Sequence, residues 1–402
     1  MNDHLLTLAR ENAPCYLYRW DMLRRQTDEL RRVFPSYDLL YSIKANPFPP
    51  LVRALADMGV GADAASAQEV LLAESCGMAG RDIFFSAAGK TERALETAWE
   101  HGEIIVDSLG EVARIGALCR KKGISRAIGV RLNPGFGMGG GAGVASKFGI
   151  NEEDLPRLQA LLDTLPVTVE GIHVHLRSQN LNADVLGGCY RDSWALAKRV
   201  SRELDSPLRY VNFGSGVGVA YDLRYEQPMD LGRLRTYTDA IAAENETTLC
   251  ARLMIETGRF LTAAAGSYWL RVVDKKISRG KTYVIVENCL NGLMKPALAV
   301  MLRHAAGEQP LAAQEPLFTA EWAFPIVAHG DETVSETVDI VGNLCCASDI
   351  LAENFRGARL EVGDLIEVRN AGAYACTLTA QGFSSHEPPR ELLVRPDGTA
   401  EC

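Results

Sequence analysis

Hydrophobic and polar positions follow one repeating unit along the first two thirds of the chain. A short apolar run ends in a small or polar residue, and a stretch with helical periodicity follows it. We expect eight such runs to be strands, and they begin near Asp38, Gly61, Asp82, Glu103, Arg126, Val167, Arg209 and Arg252. Helical periodicity is clear over residues 50–56 and 193–204. Eight strand–helix alternations favour an α/β fold of the (β/α)8 barrel type, with a doubly wound sheet as the alternative.

The pattern changes after Gly266. Short runs rich in β-branched residues, most of them close to turn residues, predict strands at 267–278, 281–287, 338–341, 364–369 and 391–394. The opening run from Cys15 to Trp20 also predicts a strand, which we expect to join this β domain. The expected organisation is therefore an N-terminal strand segment at 1–28, a barrel at 29–265 and a C-terminal β domain at 266–402.

Composition narrows the class of protein. The chain has 402 residues, 47% of them hydrophobic, which is enough for two domains with cores. Its net charge of −9 argues against nucleic acid or an anionic membrane as the main partner. The start resembles no signal peptide, and no run of apolar residues is long enough for a transmembrane helix. Ten cysteines without metal-type spacing fit free thiols, so we expect a cytoplasmic protein.

Lys44 is the first candidate catalytic residue. It ends the first barrel strand just before Asn46 and Pro47. Desolvation at a strand mouth favours the neutral, nucleophilic form of an amine, although a plain surface lysine is the alternative. Functional side chains of such barrels lie at the C-terminal ends of the strands. The other strand ends here carry Asp63 with Ser66, Ser86 with Lys90, Asp107, Arg131, His175 with Ser178, and Glu256 with Arg259.

A glycine-rich loop, Gly214-Ser215-Gly216-Val217-Gly218, follows the seventh strand. Its backbone N–H groups can approach a phosphate closely. A dinucleotide-binding fingerprint is disfavoured, because the glycines are not in GxGxxG spacing and do not open the first βαβ unit. A plain tight turn remains open.

His173 and His175 lie on one face of the sixth strand. A metal pair is disfavoured because the other five histidines lie off the barrel strands. We expect one imidazole to stack on a ring and the other to be a satisfied core residue.

Glu256 would hold the proton of a heterocyclic nitrogen, with Gly258 and Arg259 facing a phosphate or carboxylate. An internal Glu–Arg pair is the alternative. Together with Lys44, these groups describe a pyridoxal 5′-phosphate (PLP) site.

The motifs resemble the fold-type III PLP-dependent decarboxylases, which include the diaminopimelate and ornithine decarboxylases. The resemblance spans Tyr16 to Val394. Matching segments lie at 41–46, 62–69, 106–108, 131–135, 146–149, 173–179, 214–216, 256–259, 342–345 and 372–374. It implies a TIM-type (β/α)8 barrel that binds PLP and a C-terminal β-sandwich or β-barrel domain, as in the alanine racemase-like fold.

The resemblance also implies roles for individual residues. Lys44 would hold the cofactor covalently, His175 would stack on its ring and Glu256 would pair with the ring nitrogen, which favours decarboxylation over racemisation. Asp63 would orient the region of Lys44 and His175. Further cofactor contacts would come from Arg131, Ser178, Gly214, Ser215, Gly216, Gly258, Arg259 and Tyr374. In a head-to-tail homodimer the partner subunit would supply Tyr374 and also Cys345, which would protonate the substrate carbon after CO2 leaves.

Departures from the family pattern bear on the substrate. Lys295 stands where diaminopimelate decarboxylases have an arginine, and Cys346 stands where the family has an acidic residue for a distal ammonium. Arg177 adds positive charge, and Asp349 is retained.

These four candidate substrate residues predict a decarboxylase for a carboxylate-rich conjugate of the siderophore type, such as a citryl-diamino acid. A conventional diaminopimelate, ornithine or lysine decarboxylase is the alternative. A non-catalytic regulator is disfavoured by the presence of both Lys44 and Cys345.

Overall fold

A computed structural model describes residues 2–224, 226–306 and 324–402. The chain divides into two compact units. The barrel unit comprises residues 26–219 and 228–258, and the β unit comprises residues 1–25, 220–227 and 259–402. The chain opens with helix α1 (Asn2–Asn12), strand β1 (Cys15–Arg19) and helix α2 (Trp20–Val33).

Eight parallel strands close the barrel. They are β2 (Tyr37–Ser42), β3 (Gly61–Ala64), β4 (Ile83–Ser86), β5 (Glu103–Val106), β6 (Arg126–Asn133), β8 (Val167–Val174), β9 (Tyr210–Asn212) and β10 (Arg252–Thr257), while the short β7 (Ile150–Asn151) pairs in parallel with the end of β6. The sheet closes because β10 pairs with β2 and β5 pairs with β6. The predicted barrel is confirmed, and each predicted strand start lies within one residue of the observed one.

Helices follow the barrel strands. They are α3 (Pro49–Asp57), α4 (Ala67–Ser75), α5 (Glu92–His101), α6 (Leu109–Lys122), α7 (Leu155–Leu162), α8 (Ala183–Glu203) and α9 (Leu231–Asn245). Side chains of Ser66, Thr91, Ser108, Asn182 and Asp230 accept backbone N–H groups at helix starts. Because these caps lie in the loops that leave the strands, they fix the strand ends where the polar residues gather.

The β unit contains α10 (Arg259–Thr262), β11 (Gly266–Ser278), β12 (Lys281–Val286), α11 (Met294–Ala306), β13 (Ile326–His329), β14 (Asp331–Gly342), β15 (Ile350–Arg359), β16 (Leu365–Val368), β17 (Arg390–Val394) and β18 (Ala400–Glu401). Its strands form one mixed sheet. The prediction that the opening strand joins this sheet is confirmed, because β1 pairs with β11 and β17. Cys15, Leu17 and Trp269 belong to its core.

Several elements of the β unit were not predicted, among them α11, β13 and β15. Helix α11 has Pro296 in its first turn, which a helix tolerates there although proline usually indicates a break. Strand β15 has mixed polarity along its length and is held by its antiparallel pairing with β14. Strand β13 pairs with β16. Within the described ranges, no helix is both long enough and apolar enough to cross a membrane.

Candidate active site

Lys44 lies in the one-turn helix Ile43–Ala45 directly after β2. Its Nζ donates a hydrogen bond to Asp63 Oδ2 at 3.1 Å, and Ser86 Oγ donates to Asp63 Oδ1 at 2.5 Å. Burial by itself raises the pKa of Asp63, but the Lys44 ammonium and the Ser86 hydroxyl outweigh it and hold that pKa below its ordinary value. Three adjacent strands, β2, β3 and β4, thus fix the lysine amine at the barrel mouth.

A second carboxyl, that of Glu69, lies close to this group. Ser66 Oγ accepts the Glu69 N–H at 3.2 Å, and Glu69 Oε2 accepts the Ala65 N–H at 2.6 Å. Burial raises the pKa of Glu69 to about 7, against the opposing effect of the Ala65 hydrogen bond. Glu69 also interacts electrostatically with Asp63 and Lys44. The charge near Lys44 therefore changes around neutral pH.

Glu256, on β10, is buried and held from two neighbouring strands. Asn212 Nδ2 donates to Glu256 Oε1 at 2.7 Å, and His173 Nε2 lies 3.3 Å from Glu256 Oε2. Asn212 Oδ1 also accepts the Gly214 N–H at 2.9 Å. Asn212 therefore links the carboxylate to the glycine loop. Sequence analysis missed this residue, although a polar side chain inside the apolar run 210–213 was an available signal.

The glycine loop packs against His175 through backbone atoms, because its glycines have no side chains. Gly214 and Gly216 have φ angles of +65° and +139°, which disfavour other residues. A Cβ on Gly214 would lie 2.7 Å from His175 Cβ, and one on Gly216 would lie 2.5 Å from Leu186 Cδ1. The Ser215 N–H donates to His175 Nδ1 at 3.0 Å. The absence of side chains at Gly214 and Gly216 lets a phosphate approach the loop backbone closely.

His175 is a neutral imidazole. Burial, together with the nearby Arg131 guanidinium, lowers its pKa from 6.5 to about 3. Because Nδ1 accepts from Ser215, the ring proton is assigned to Nε2, which lies 3.3 Å from Ser178 Oγ. Arg131 is 3.8 Å from Asp107 Oδ1. A neutral ring can stack on a cationic heterocycle without charge repulsion.

Gly258 completes this group at the end of β10. A Cβ there would lie 2.5 Å from Ala45 Cβ and 2.9 Å from the Ser42 carbonyl oxygen, so a larger residue would push against the turn that carries Lys44. The structure thus brings together Lys44, Asp63 and Ser86 on one side and His173, Asn212 and Glu256 on the other. All of these residues belong to the barrel unit.

The β unit carries a second group of predicted site residues. Arg259 Nη1 donates to the Tyr221 hydroxyl at 2.7 Å, and its Cζ lies 4.7 Å from the centre of the Tyr374 ring. Because the Gly372 N–H donates to the Ala263 carbonyl at 3.1 Å, the segment with Tyr374 returns to α10. Tyr374 packs on Arg259 within one chain, and its contribution to a partner subunit's site stays a prediction.

Cys345 and Cys346 follow β14 in a loop. Cys345 is exposed, and its Sγ lies 3.7 Å from Ser384 Oγ. Cys346 packs against an apolar cluster formed by Leu290, Ala297 and Leu344. The position that is acidic in diamino-acid decarboxylases therefore has apolar surroundings here.

Asp349 has a structural role. It is buried, its Oδ1 accepts the Leu290 N–H at 2.7 Å, and its Oδ2 accepts the Leu344 N–H at 2.9 Å. A Cβ on Gly342 would lie 1.9 Å from Oδ2, so the carboxylate is packed tightly between two loops. These contacts do not support the expectation that Asp349 binds substrate.

Two other expectations concern histidine and metal. His173 is buried, but in the part of the chain that the structure describes neither ring nitrogen has a well-aligned hydrogen bond, so it is not a satisfied core residue. Among the described residues, no group of three or more His, Cys, Asp or Glu side chains is arranged to hold a metal ion.

Arg177, a predicted substrate residue, lies exposed in the loop between β8 and α8.

Comparison with known proteins identifies the family. The model of the "Pyridoxal-dependent decarboxylase, pyridoxal binding domain" family matches residues 20–263. The chain belongs to the pyridoxal-dependent decarboxylases. The L-glutamyl-[BtrI acyl-carrier protein] decarboxylase of Niallia circulans is 30% identical over 396 residues, covering 96% of this chain and 90% of the relative. The diaminopimelate decarboxylase of Archaeoglobus fulgidus is 28% identical, covering 97% and 90%.

Solved structures agree on the fold of this decarboxylase. Diaminopimelate decarboxylase from M. jannaschii in co-complex with L-lysine has a TM-score of 0.82 at 22% identity, covering 98% of this chain and 90% of that one. The protein is a PLP-dependent carboxy-lyase of amino-acid metabolism. The bare glycine loop, the buried Glu256 carboxylate and the Lys44 amine are a donor set that fits PLP.

Proposed function

We propose that this decarboxylase removes the α-carboxylate of an amino acid whose distal end is conjugated and rich in carboxylates, such as a citryl-diamino acid of siderophore biosynthesis. The environment of Cys346 carries the proposal. An ammonium placed among Leu290, Ala297 and Leu344 without a carboxylate costs on the order of several kcal/mol. Asp349, the retained acid, is engaged with backbone N–H groups.

Lys295 supports a substrate with additional carboxylates. Its side chain is 3% exposed, and its Nζ lies 5.6 Å from the Tyr374 ring centre and 5.9 Å from that of Phe324. It stands at the start of α11, one residue after Met294, which packs against the apolar cluster beside Cys346. A buried lysine next to this apolar cluster favours an anionic distal group over an ammonium. The exposed Arg177 adds positive charge.

In this proposal each part of the reaction has its own side chain. PLP, when bound, would supply the electron sink for the pair left on the substrate carbon when CO2 departs. Asp63 would orient the Lys44 amine, Glu256 would hold the proton of the ring nitrogen, and the neutral His175 would stack on the ring. Cys345 of the partner subunit would donate a proton to the substrate carbon. The enzyme would act as a cytoplasmic homodimer.

A second candidate substrate is an amino acid carried on an acyl-carrier protein. The relative that is 30% identical acts, by its name, on an L-glutamyl group bound to such a protein. That substrate also lacks a free distal ammonium, so the environment of Cys346 suits it equally. A conventional diaminopimelate decarboxylase is the alternative that the other named relatives favour.

The test is kcat/KM with added PLP for meso-diaminopimelate, L-lysine, L-ornithine, a citryl-diamino acid and an L-glutamyl pantetheine thioester. We expect clear CO2 release from one of the two conjugates and weak turnover of the three diamino acids, by two or more decades. A value for meso-diaminopimelate above roughly 10⁴ M⁻¹s⁻¹ would contradict the proposal.

A designed variant makes this test sharper. Cys346→Asp supplies the missing carboxylate and should raise kcat/KM for L-lysine or L-ornithine about tenfold while lowering that for the conjugate. Cys250→Asp, at an exposed cysteine of the barrel unit, is the matched control and should change neither. If both variants behave alike, Cys346 does not face the distal end of the substrate.

A further inference from the structure

His173 is a buried imidazole beside the carboxylate proposed to hold the ring nitrogen of PLP. Strands β8 and β9 pair so that His173 lies opposite Asn212, and β9 in turn pairs with β10, which carries Glu256. His173 is 1% exposed. The three side chains therefore meet inside the barrel, each from a different strand.

Each oxygen of Glu256 has a polar neighbour. Asn212 donates to Oε1 at 2.7 Å, while His173 Nε2 lies 3.3 Å from Oε2. Asn212 is itself fixed by the Gly214 N–H. His173 is thus the neighbour of Oε2, the oxygen to which Asn212 does not donate.

His173 also faces the groups around Lys44. It interacts electrostatically with Asp63, which accepts the hydrogen bond from the Lys44 amine, and with His175. Uncharged side chains hold both carboxylates, because Asn212 on β9 donates to Glu256 and Ser86 on β4 donates to Asp63. The imidazole therefore interacts with the carboxylate for the ring nitrogen and with the carboxylate for the lysine.

We propose that His173 is a positioning residue that orients the Glu256 carboxylate toward the ring nitrogen of PLP. This inference rests on the proposed role of Glu256, which the same experiment tests separately. The His173 ring beside Oε2 and the Asn212 amide on Oε1 together limit the orientations open to the Glu256 carboxylate. Without the imidazole, Oε2 loses a polar neighbour at a buried position, and the carboxylate is free to rotate.

The experiment is a double-mutant cycle on PLP affinity. Cofactor-depleted full-length enzyme is titrated with PLP for wild type, His173→Phe, Glu256→Gln and the double variant. We expect His173→Phe to weaken binding about tenfold or more in the wild-type background and to have little effect when Glu256 is already Gln. The visible spectrum of the loaded enzyme should change in parallel, and kcat should fall with KM nearly unchanged.

Controls separate positioning from folding. His173→Gln places an amide Nε2 where the imidazole has Nε2 and should restore most of the affinity. Ile172→Ala removes an equally buried side chain of β8 and should lower the melting temperature without weakening PLP binding. If His173→Phe does not fold, the His173→Ala variant is carried through the same cycle.

The possible results separate a failure of the proposed Glu256 role from a failure of the His173 role. If Glu256→Gln leaves PLP affinity and the spectrum unchanged, the proposed role of Glu256 fails, and the inference fails with it. If Glu256→Gln is defective but replacement of His173 weakens binding equally in both backgrounds, His173 does not act through Glu256 and only the inference is overturned.

Discussion

Glu69 places an ionisable carboxyl close to the lysine that we propose to hold PLP. Its side chain caps the turn at Ala65 and interacts electrostatically with Asp63 and Lys44. Because burial raises the pKa of Glu69 to about 7, the folded chain binds more protons than the unfolded chain between roughly pH 4.5 and 7. The stability that the protonated form provides is therefore present at low pH and is lost as pH rises through 7.

Replacing Glu69 by glutamine should remove this pH dependence. Glutamine is uncharged at every pH and can still accept the Ala65 N–H through its amide oxygen. We expect Glu69→Gln to match wild type near pH 4.5 and to be more stable above pH 7, by about 2 kcal/mol after allowance for partial solvent access. Melting temperatures from pH 4.5 to 8.5 measure the effect.

The control is Glu92→Gln, at an exposed position in the first turn of α5. It should not gain stability with pH. A Glu69→Gln variant whose melting temperature runs parallel to that of wild type at all pH values would show that Glu69 is already ionised in the folded chain at pH 4.5.

Residue types at strand ends were sufficient to predict Lys44, Asp63, His175 and Glu256 as a group. They did not indicate Asn212, although it is the polar residue within the apolar run 210–213. The fixing of Asp349 by the N–H groups of Leu290 and Leu344 was equally invisible, since those residues lie on separate loops.

At the scale of elements, the loop between β9 and α9 shows why glycine is required. Gly214 needs a positive φ and lies against His175, while Gly216 lies against Leu186 on α8. The glycine spacing predicted a phosphate loop but not these neighbours, which come from α8 and from the loop between β8 and α8.

We expect Gly214→Ala to raise the PLP dissociation constant about tenfold or more. The added methyl group would meet His175 Cβ and Nδ1 at 2.7 Å and strain the positive φ, so the loop and the imidazole must shift together. Gly188→Ala, on α8 with no atom near the added methyl group, should leave PLP affinity unchanged and stabilise the helix by up to ~1 kcal/mol. PLP titration and thermal melting distinguish the two variants.

At the scale of the whole molecule, the question is which residues one chain contributes to a site. Arg259 and Tyr374 come from the same chain. Cys345 lies in the β unit and Lys44 in the barrel unit. The family resemblance implies that Cys345 serves a partner subunit, so we propose that a dimer shares its sites.

Mixing inactive Lys44→Ala with inactive Cys345→Ala should then restore activity. A heterodimer would contain one site with both an intact lysine and an intact cysteine, so recovery of about a quarter of wild-type activity is expected when half of the dimers are mixed. The measurement is CO2 release after verified subunit exchange.

The control pair is Lys44→Ala with His175→Ala. Both residues lie in the barrel unit, so no combination of these chains has an intact barrel site and no activity should return. Absence of recovery with the Cys345 variant, under conditions that exchange subunits, would mean that each chain completes its own site.

The amino-acid pattern predicted the barrel strands with their starts and the joining of Cys15–Arg19 to the β domain, and the family resemblance favoured a barrel over a doubly wound sheet. These follow from local periodicity, because each strand of a parallel barrel is buried on both faces and ends in a polar turn. It also determined the residue types of a PLP site, since those residues occur at strand ends that the barrel must bring together.

Only the tertiary structure decided which polar groups touch. The pairing of Asn212 and His173 with Glu256, the packing of Tyr374 on Arg259 and the enclosure of Asp349 all join residues from different elements. Burial, which gives Glu69 its raised pKa and His175 its lowered one, likewise depends on neighbours distant in sequence. Local patterns carry no such information, because desolvation and contact arise when separate segments pack.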